Sequence, residues 1–316
     1  MEWQKLGKIF DPADFELPFN CFAFAKSPQA VVFDDFVRIY FSAVAKDSTG
    51  KYLSHVLFAD FNKKFNKVLR VSQKEVVSLG NLGCFDEHGI FPMSPVRVED
   101  KIYAYTSGWS RRVSVSVETG VGLAISDDNG LTFKKHGDGP VLSASLYEPN
   151  LVVDAFVRYF ENTFHMWYIF GIGWKQFAKD VEPDRIYKIG HATSKDGVDW
   201  KKEGKQIISS KFEDESQALP TVIKIENRFC MFFCYRKSFD FRNNSNNSYR
   251  IGYAYSDDLI TWVRNDDEVG IDVSANGWDS EMVAYPHVFE MDSQIYMLYN
   301  GNEFGRHGFG IAKLVC

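Results

Sequence analysis

Apolar residues in this chain fall in short runs with a period near two, broken by Asp, Asn, Gly or paired charges, and no segment of helical period competes with them. Five stretches repeat one design: SPQAVVFDDFVRIYFSA (27–43), SPVRVEDKIYAYTSG (94–108), DAFVRYFENTFHMWYIFG (154–171), LPTVIKIENRFCMFFCY (219–235) and YPHVFEMDSQIYMLYNG (285–301). Each is a β-rich run, a polar turn and a second run dense in Tyr, Phe and Met, which is the pattern of a hairpin. Aligning Pro28, Pro95, Ala155, Pro220 and Pro286 gives spacings of 67, 60, 65 and 66 residues. Such a regular period is the mark of a repeat architecture.

A second motif follows the first in three repeats: VGLAISDDNGLTFKKHG (121–137), IGHATSKDGVDWKKEG (189–204) and IGYAYSDDLITWVR (251–264). It reads as a third strand, a turn built by Ser, Asp and Gly, and a fourth strand opened by an aromatic residue. Four strands per repeat, five times over, predict an all-β fold, a five-bladed β-propeller occupying residues 1–316 as one domain. The fifth repeat stops at FGIAKLVC, after its third strand. The missing strand stands at the other end of the chain. WQKLGKIF (3–10) shares with WKKEGKQI (200–207) and FKKHGDGP (133–140) an aromatic residue, Lys two places on and Gly four places on. The N-terminal strand should therefore complete the last blade and cover exposed edges. The first repeat fits least well, with YLSHVLFADFNKKF where an Asp/Gly turn is expected.

Charge narrows the functions open to such a scaffold. Acidic residues outnumber basic ones 42 to 36, for a net charge of −6, so no basic field exists to hold nucleic acid or an anionic membrane. MEWQKLGKIF carries charges before any apolar run develops, and no stretch approaches 18 apolar residues, so no membrane span or export signal is expected. The five cysteines, Cys21, Cys84, Cys230, Cys234 and Cys316, have neither a paired framework nor zinc-ligand spacing, and read as reduced thiols of a cytoplasmic protein. Aromatic residues make up 16% of the chain. That is enough to fill a large core and leave rings for stacking on the apolar faces of sugars. The sequence sets no oligomeric state.

Antiparallel pairing puts the start of each first strand and the end of each second strand at one edge. Residues just before the aligned Pro are unusually acidic, and they include Asp86, Glu87 and His88, then Glu148 and Asp154, then Glu213, Asp214 and Glu215, then Asp279 and Glu281. Residues just after the second strands include Trp109, Arg111 and Arg112, then Trp174, then Arg236, then Asn300, Asn302, Arg306 and His307. Carboxylates, guanidinium groups, amides and indoles converging on one funnel suit a saccharide, because polar groups fix hydroxyls while rings stack on C–H faces. His88, His287 and His307 lack ligand-pair spacing, so neither a metal nor another cofactor is expected.

The Pro-led first strand, the Tyr-rich second strand and the IGxAxSxDGxxW pattern together resemble the arabinanase, levansucrase and invertase superfamily of five-bladed propellers, which includes glycoside hydrolase family 43. GWDSEMVAYPHVFEMDSQIYMLYNGNEFGRHGFGIA (277–312), HGIFPMSP (88–95), YEPNLV (147–152) and YRIGYAYSDDLITW (249–262) are similar to an uncharacterised subgroup associated with surface-polysaccharide loci. The family 43 resemblance implies a general base directly before the first aligned Pro, an Asp at the third-repeat position and a general acid shortly before the fourth Pro. Those places hold Ser27, Asp154 and, displaced by three residues, Glu215. Serine is no base at neutral pH without a partner, so the usual inverting pair is incomplete. The reading that follows makes Glu281 and Glu215 the proton-transfer pair, tuned by Asp279 or Asp154. His88, Trp109, Arg111, Glu148, Trp174, Arg236, Asn300, Asn302, Arg306 and His307 then bind the substrate. The expected activity is cleavage or transfer of a glycosidic bond on a polysaccharide or an activated precursor such as a nucleotide sugar. The alternative is a catalytically inactive glycan-binding propeller.

Overall fold

The computed structural model describes residues 1–315; Cys316 lies outside the described residues. The fold is all-β. The strands in chain order are β1 (Trp3–Phe10), β2 (Ala23–Val32), β3 (Phe36–Lys46), β4 (Tyr52–Asn62) and β5 (Val68–Val71), then β6 (Gly89–Val98), β7 (Lys101–Arg111), β8 (Val117–Ser126) and β9 (Lys134–Lys135). They continue as β10 (Val152–Phe160), β11 (Thr163–Lys175), β12 (Asp184–Ser194) and β13 (Lys201–Lys202), and as β14 (Glu215–Ile225), β15 (Arg228–Lys237), β16 (Arg250–Ser256) and β17 (Val263–Arg264). The last are β18 (Ala284–Met291), β19 (Gln294–Asn300) and β20 (Phe309–Leu314). Strands β10–β13 and β14–β17 each form a four-stranded antiparallel sheet. Strands β2–β5 and β6–β9 form the two halves of an eight-stranded sheet, joined by one parallel bridge between Ser54 and Gly89. Among the described residues no helix is long and apolar enough to cross a membrane.

The chain ends meet as the shared aromatic–Lys–Gly spacing suggests. Strand β1 pairs antiparallel with β20, from Trp3 opposite Leu314 to Phe10 opposite Phe309, and completes the sheet ordered β18-β19-β20-β1. The Asp turns also form as expected. Ser126, Ser194 and Ser256 each donate a hydroxyl hydrogen bond to the Asp two residues on, and Asp258 in turn accepts from the amides of Ile260 and Thr261.

Each outermost strand opens on an aromatic residue that meets, edge to face, a ring on the second strand of the preceding sheet or half-sheet. Phe133 meets Tyr40 with centroids 5.8 Å apart, Trp200 meets Tyr105 at 5.5 Å, Trp262 meets Trp167 at 6.3 Å and Trp3 meets Phe232 at 5.5 Å. Two residues further along the same strands stand Lys135, Lys202, Arg264 and Lys5. Each pairs with a buried carboxylate on the lead-in to its own sheet: Asp86 at 2.5 Å, Glu148, Glu215 at 2.7 Å and Asp279 at 2.7 Å. The first half-sheet departs from this scheme. There Asp60 on β4 accepts from Arg38 at 2.7 Å and Arg70 at 2.6 Å, and Phe65, just before β5, packs against Tyr296 at 5.4 Å.

The innermost strands share a defect that governs the site. Pairing slips between Lys26 and Gln29, Ile90 and Met93, Val153 and Phe156, Ala218 and Thr221, and Ala284 and His287. At four of these bulges one residue adopts left-handed backbone: Ser27 at φ 51°, Asp154 at 57°, Leu219 at 46° and Tyr285 at 58°. Such residues are disfavoured by roughly 1–3 kcal/mol each. A bulge turns a side chain out of the regular alternation, and at Asp154 and Tyr285 it turns towards the space the inner strands surround.

Two outcomes test this account. Lys202→Met leaves the buried Glu148 without its cation and should lower unfolding free energy by about 3–5 kcal/mol in urea denaturation; a loss under about 1 kcal/mol would show that the pair carries no weight. Deleting residues 1–10 bares the β20 edge and removes both Trp3 and Lys5, so the melting transition of the whole protein should fall. An unchanged melting temperature would contradict the role of β1.

Candidate functional site

Second strands end, and first and third strands begin, at one edge of each sheet, and there the chain encloses a cavity of about 300 Å³. The first strands supply Lys26, Phe91, Asp154 and Tyr285, the third strands supply Thr119, Arg185 and Tyr187, Tyr249 stands just before β16, and the loop after β15 supplies Arg242. Trp109 closes one side, leaning over β6 so closely that a Cβ on Gly89 would lie 2.3 Å from its indole nitrogen. Glycine is required at that crossing.

Asp154 is the single carboxylate lining the cavity among the described residues. It is 7% exposed, and burial pushes its carboxyl up to about 7, against a smaller opposing pull from Arg185 and the Leu219 backbone. Lys26 faces the same space, its ammonium 4.2 Å from the ring centre of Phe24 and 5.5 Å from that of Phe91. Burial, with added repulsion from Arg185 and Arg242, brings Lys26 down to about 8. Three cations and one acid raised close to neutrality by burial therefore share a small volume. Arg242 has an outside partner in Asp184 at 3.1 Å; Lys26 has no ion-pair partner among the described residues.

The aromatic wall is fixed from behind. The hydroxyls of Tyr187 and Tyr249 lie 2.7 Å apart, and the buried Arg236 donates to both, from Nη2 to Tyr187 at 3.0 Å and from Nε to Tyr249 at 3.2 Å. Phe241 stacks on that guanidinium at 3.5 Å. Arg236 thus supports the cavity without lining it.

The proposed pair of Glu215 and Glu281 is corrected by these positions. Glu215 is fully buried and accepts from Arg264 at 2.7 Å, Gln217 at 2.8 Å and the Lys211 amide at 2.8 Å, so it belongs to a sheet tie and not to the cavity. Glu281 is exposed on a neighbouring groove and does not line the cavity. Asp279, held by Lys5 and by the Tyr299 hydroxyl at 3.1 Å, and Glu148, held by Lys202 and Tyr168, are ties of the same kind. Asn300 is a fully buried clasp: it donates to the Ala25 and Gly308 carbonyls and accepts from the Ser27 amide.

Other expected ligand contacts scatter. Arg111 is engaged by Asp47 at 2.8 Å, and His88 stacks on Trp109 with centroids 6.0 Å apart. Trp174 lies in a neighbouring cleft of about 30 Å³ with Arg185 over its ring at 5.9 Å. Asn302 is spent on the amides of Glu281 and Met282, Arg306 lies on the groove, and His307 pairs with Glu303 at 3.3 Å. Among the described residues no three His, Cys, Asp or Glu side chains gather to hold a metal. The structure thus brings together Asp154 and Trp109 from the expected set. The missed residues had a signal: Thr119, Tyr187 and Tyr249 each stand two places before a Val-Gly or Ile-Gly pair that opens the third-strand motif, and third strands start at the same edge.

No protein-family model matches the chain. Over 315 residues it is 32% identical to the uncharacterized protein MT1551 of Mycobacterium tuberculosis (strain CDC 1551 / Oshkosh), covering 99% of each chain. It belongs to the MT1551 family. A weaker likeness, 28% over 144 residues, links this MT1551-family chain to the 1,2-beta-oligomannan phosphorylase of a Thermoanaerobacter species and covers 42% of the chain and 44% of that protein. Among solved structures, one of the GH130 family of mannoside phosphorylases, which contains glycoside hydrolases that target beta-1,2 mannosidic linkages in Candida mannan, superimposes with TM-score 0.72 at 15% identity, covering 98% of this chain and 93% of that one. A thermostable family-43 glycoside hydrolase does so with TM-score 0.65 at 14% identity, covering 93% and 91%. The MT1551-family fold is therefore that of the propeller glycosidases.

The shared charge of the cavity gives a direct check. Arg185→Met removes a positive charge beside both groups, so the Asp154 and Lys26 titrations followed by NMR should both move upward. Titrations unaffected by the substitution would mean that these groups do not face one space.

Proposed function

We propose that this protein transfers a glycosyl unit from a glycosidic bond to inorganic phosphate within a single five-bladed propeller domain, the eight-stranded sheet counting as two blades. The observation that carries the reading is the composition of the cavity: one acid, Asp154, facing Lys26, Arg185 and Arg242. Hydrolysis by the usual routes needs two carboxylates, one to protonate the leaving oxygen and one to activate water or attack the sugar. Phosphorolysis needs one acid and an anion site, because phosphate is itself the nucleophile. Ser27 in the place of the family 43 base is then no deficiency. The oligomannan phosphorylase relative and the glycosidase neighbours support the same class of substrate.

In this reading the three cations hold the phosphate dianion while Asp154 gives its proton to the glycosidic oxygen. The C–O bond to the leaving sugar breaks as a phosphate oxygen bonds to the anomeric carbon. The proton carried in by hydrogen phosphate restores Asp154, so glycosyl phosphate and a shortened saccharide form with no net gain or loss of protons. With no second carboxylate to form a covalent intermediate, displacement occurs once and inverts the anomeric centre.

The test is ³¹P NMR of the protein with phosphate and a panel of disaccharides that includes β-1,2-linked mannobiose, the linkage named for its relatives. A glycosyl phosphate of inverted configuration is expected, and Asp154→Asn should lower its formation by a hundredfold or more. Free sugar released equally well without phosphate would establish a hydrolase instead. Binding without any turnover would favour the glycan-binding alternative. Because the acid must be protonated, and its carboxyl sits near 7 before a bound dianion raises it further, the rate at saturating phosphate should fall as pH rises above about 7; a rate that kept rising with pH above that value would exclude Asp154 as the donor.

A further inference from the structure

Beside the cavity lies a second depression of about 400 Å³ that shares Lys26 and Arg242 with it, so the two adjoin. Its walls combine two chemistries. Phe24 and Phe304 present rings, with Phe304 braced edge-on against Tyr249 at 6.1 Å and Phe241 at 5.9 Å. Between them stand polar groups with unused capacity. The Ser248 hydroxyl lines the groove, is 5% exposed and has no hydrogen-bond partner among the described residues, whereas a buried hydroxyl ordinarily has one. The Glu281 carboxylate makes no ion pair among the described residues, while its backbone amide is pinned by Asn302 Oδ1 at 2.8 Å. Phe24 and Phe304 are both held in left-handed backbone, at φ 70° and 59°, a conformation that aromatic residues adopt rarely.

We propose that this groove is a saccharide subsite for a neutral sugar adjoining the one in the cavity, so that the substrate is an oligosaccharide or polysaccharide end of at least two units and not a nucleotide sugar. The assignment rests on the phosphorolysis reading for the direction of cleavage, but not for the binding itself. A pyranose has an apolar C–H face and a rim of hydroxyls. Rings such as Phe24 and Phe304 match the face; the Ser248 hydroxyl and the Glu281 carboxylate match the rim. A nucleotide diphosphate fits poorly. Of the cations on the groove, Arg306 is already paired with Glu303 at 3.6 Å and Lys26 and Arg242 are those assigned to phosphate in the cavity, which leaves the unpaired Glu281 to face a diphosphate on the outer part of the groove.

The experiment uses the whole chain and two probes read separately. Neutral oligosaccharides of two to six units on a glycan array, with UDP-glucose and GDP-mannose as competitors, report on the groove, and the thermal shift caused by inorganic phosphate reports on the cavity. Ser245→Trp, at an exposed position on the groove lip, should weaken oligosaccharide binding at least tenfold and leave the phosphate shift intact, which also shows that the variant folds. Glu281→Gln should weaken it less. Undiminished glycan binding by Ser245→Trp, binding of nucleotide sugars in preference to every neutral glycan, or no glycan binding by the unaltered protein would each overturn the groove assignment. Groove-dependent glycan binding without a phosphate shift would uphold it and count against phosphorolysis alone.

Discussion

The joint between neighbouring sheets is the interaction on which the rest of this molecule depends. An aromatic residue on each outer strand reaches across to a ring on the preceding unit, and the cation two residues later reaches back to a carboxylate leading into its own sheet. Alternation along a strand puts residues two apart on one face, so these paired contacts follow from one short motif. The ring contact contributes about 0.5–1.5 kcal/mol beyond its burial. The ion pair acts differently: its net stabilisation is small, but losing either partner is costly. It therefore fixes the lead-in segments, and those segments set where the inner strands begin.

Once the inner strands are placed, the shared bulge brings two of its residues, Asp154 and Tyr285, to the cavity. Ser27, Asp154, Leu219 and Tyr285 occupy one structural position in four units. The scaffold supplies the same turn each time, and the side chain supplies the difference. Only at Asp154 does the position carry an acid, and burial there outweighs the nearby cation. A repeat fold can in this way hold one reactive group without altering its framework, because the backbone strain is spread over equivalent sites that packing already secures.

Much of the fold was legible in the sequence because strands, turns and joints are local or periodic features. The Pro-led hairpins, the Ser-Asp turns and the kinship of WQKLGKIF with the outer strands needed no knowledge of distant contacts. The candidate acid was harder to read. Asp86, Glu148, Glu215 and Asp279 look like site acids because they crowd the correct edge, yet each is neutralised by a cation about 50 to 275 residues away in sequence. The clue lay in the same aromatic–x–cation motif that revealed closure: four recurring cations imply four recurring partners. Asp154 escapes that scheme, with no such cation assigned to it. The cations gave less signal: Arg185 opens a third strand, Lys26 stands on a first strand whose pattern points to acids, and Arg242 lies in the loop five residues beyond the end of β15.

The electrostatics of the cavity couple its parts in a definite order. Empty, it holds Lys26 near 8 and Asp154 near 7, each displaced from its ordinary value mainly by burial. A dianion seated against Lys26, Arg185 and Arg242 favours the protonated form of every group around it. It would hold Lys26 charged and keep the Asp154 proton in place at a pH where the empty site begins to lose it. By linkage, protonation of those groups would in turn tighten the anion. Anion and acid would then be assembled together before a glycosidic oxygen arrives, and a cavity without its anion would be a poorer proton donor. That coupling follows from placing one carboxyl among three cations, and a pair of opposed carboxylates would not produce it.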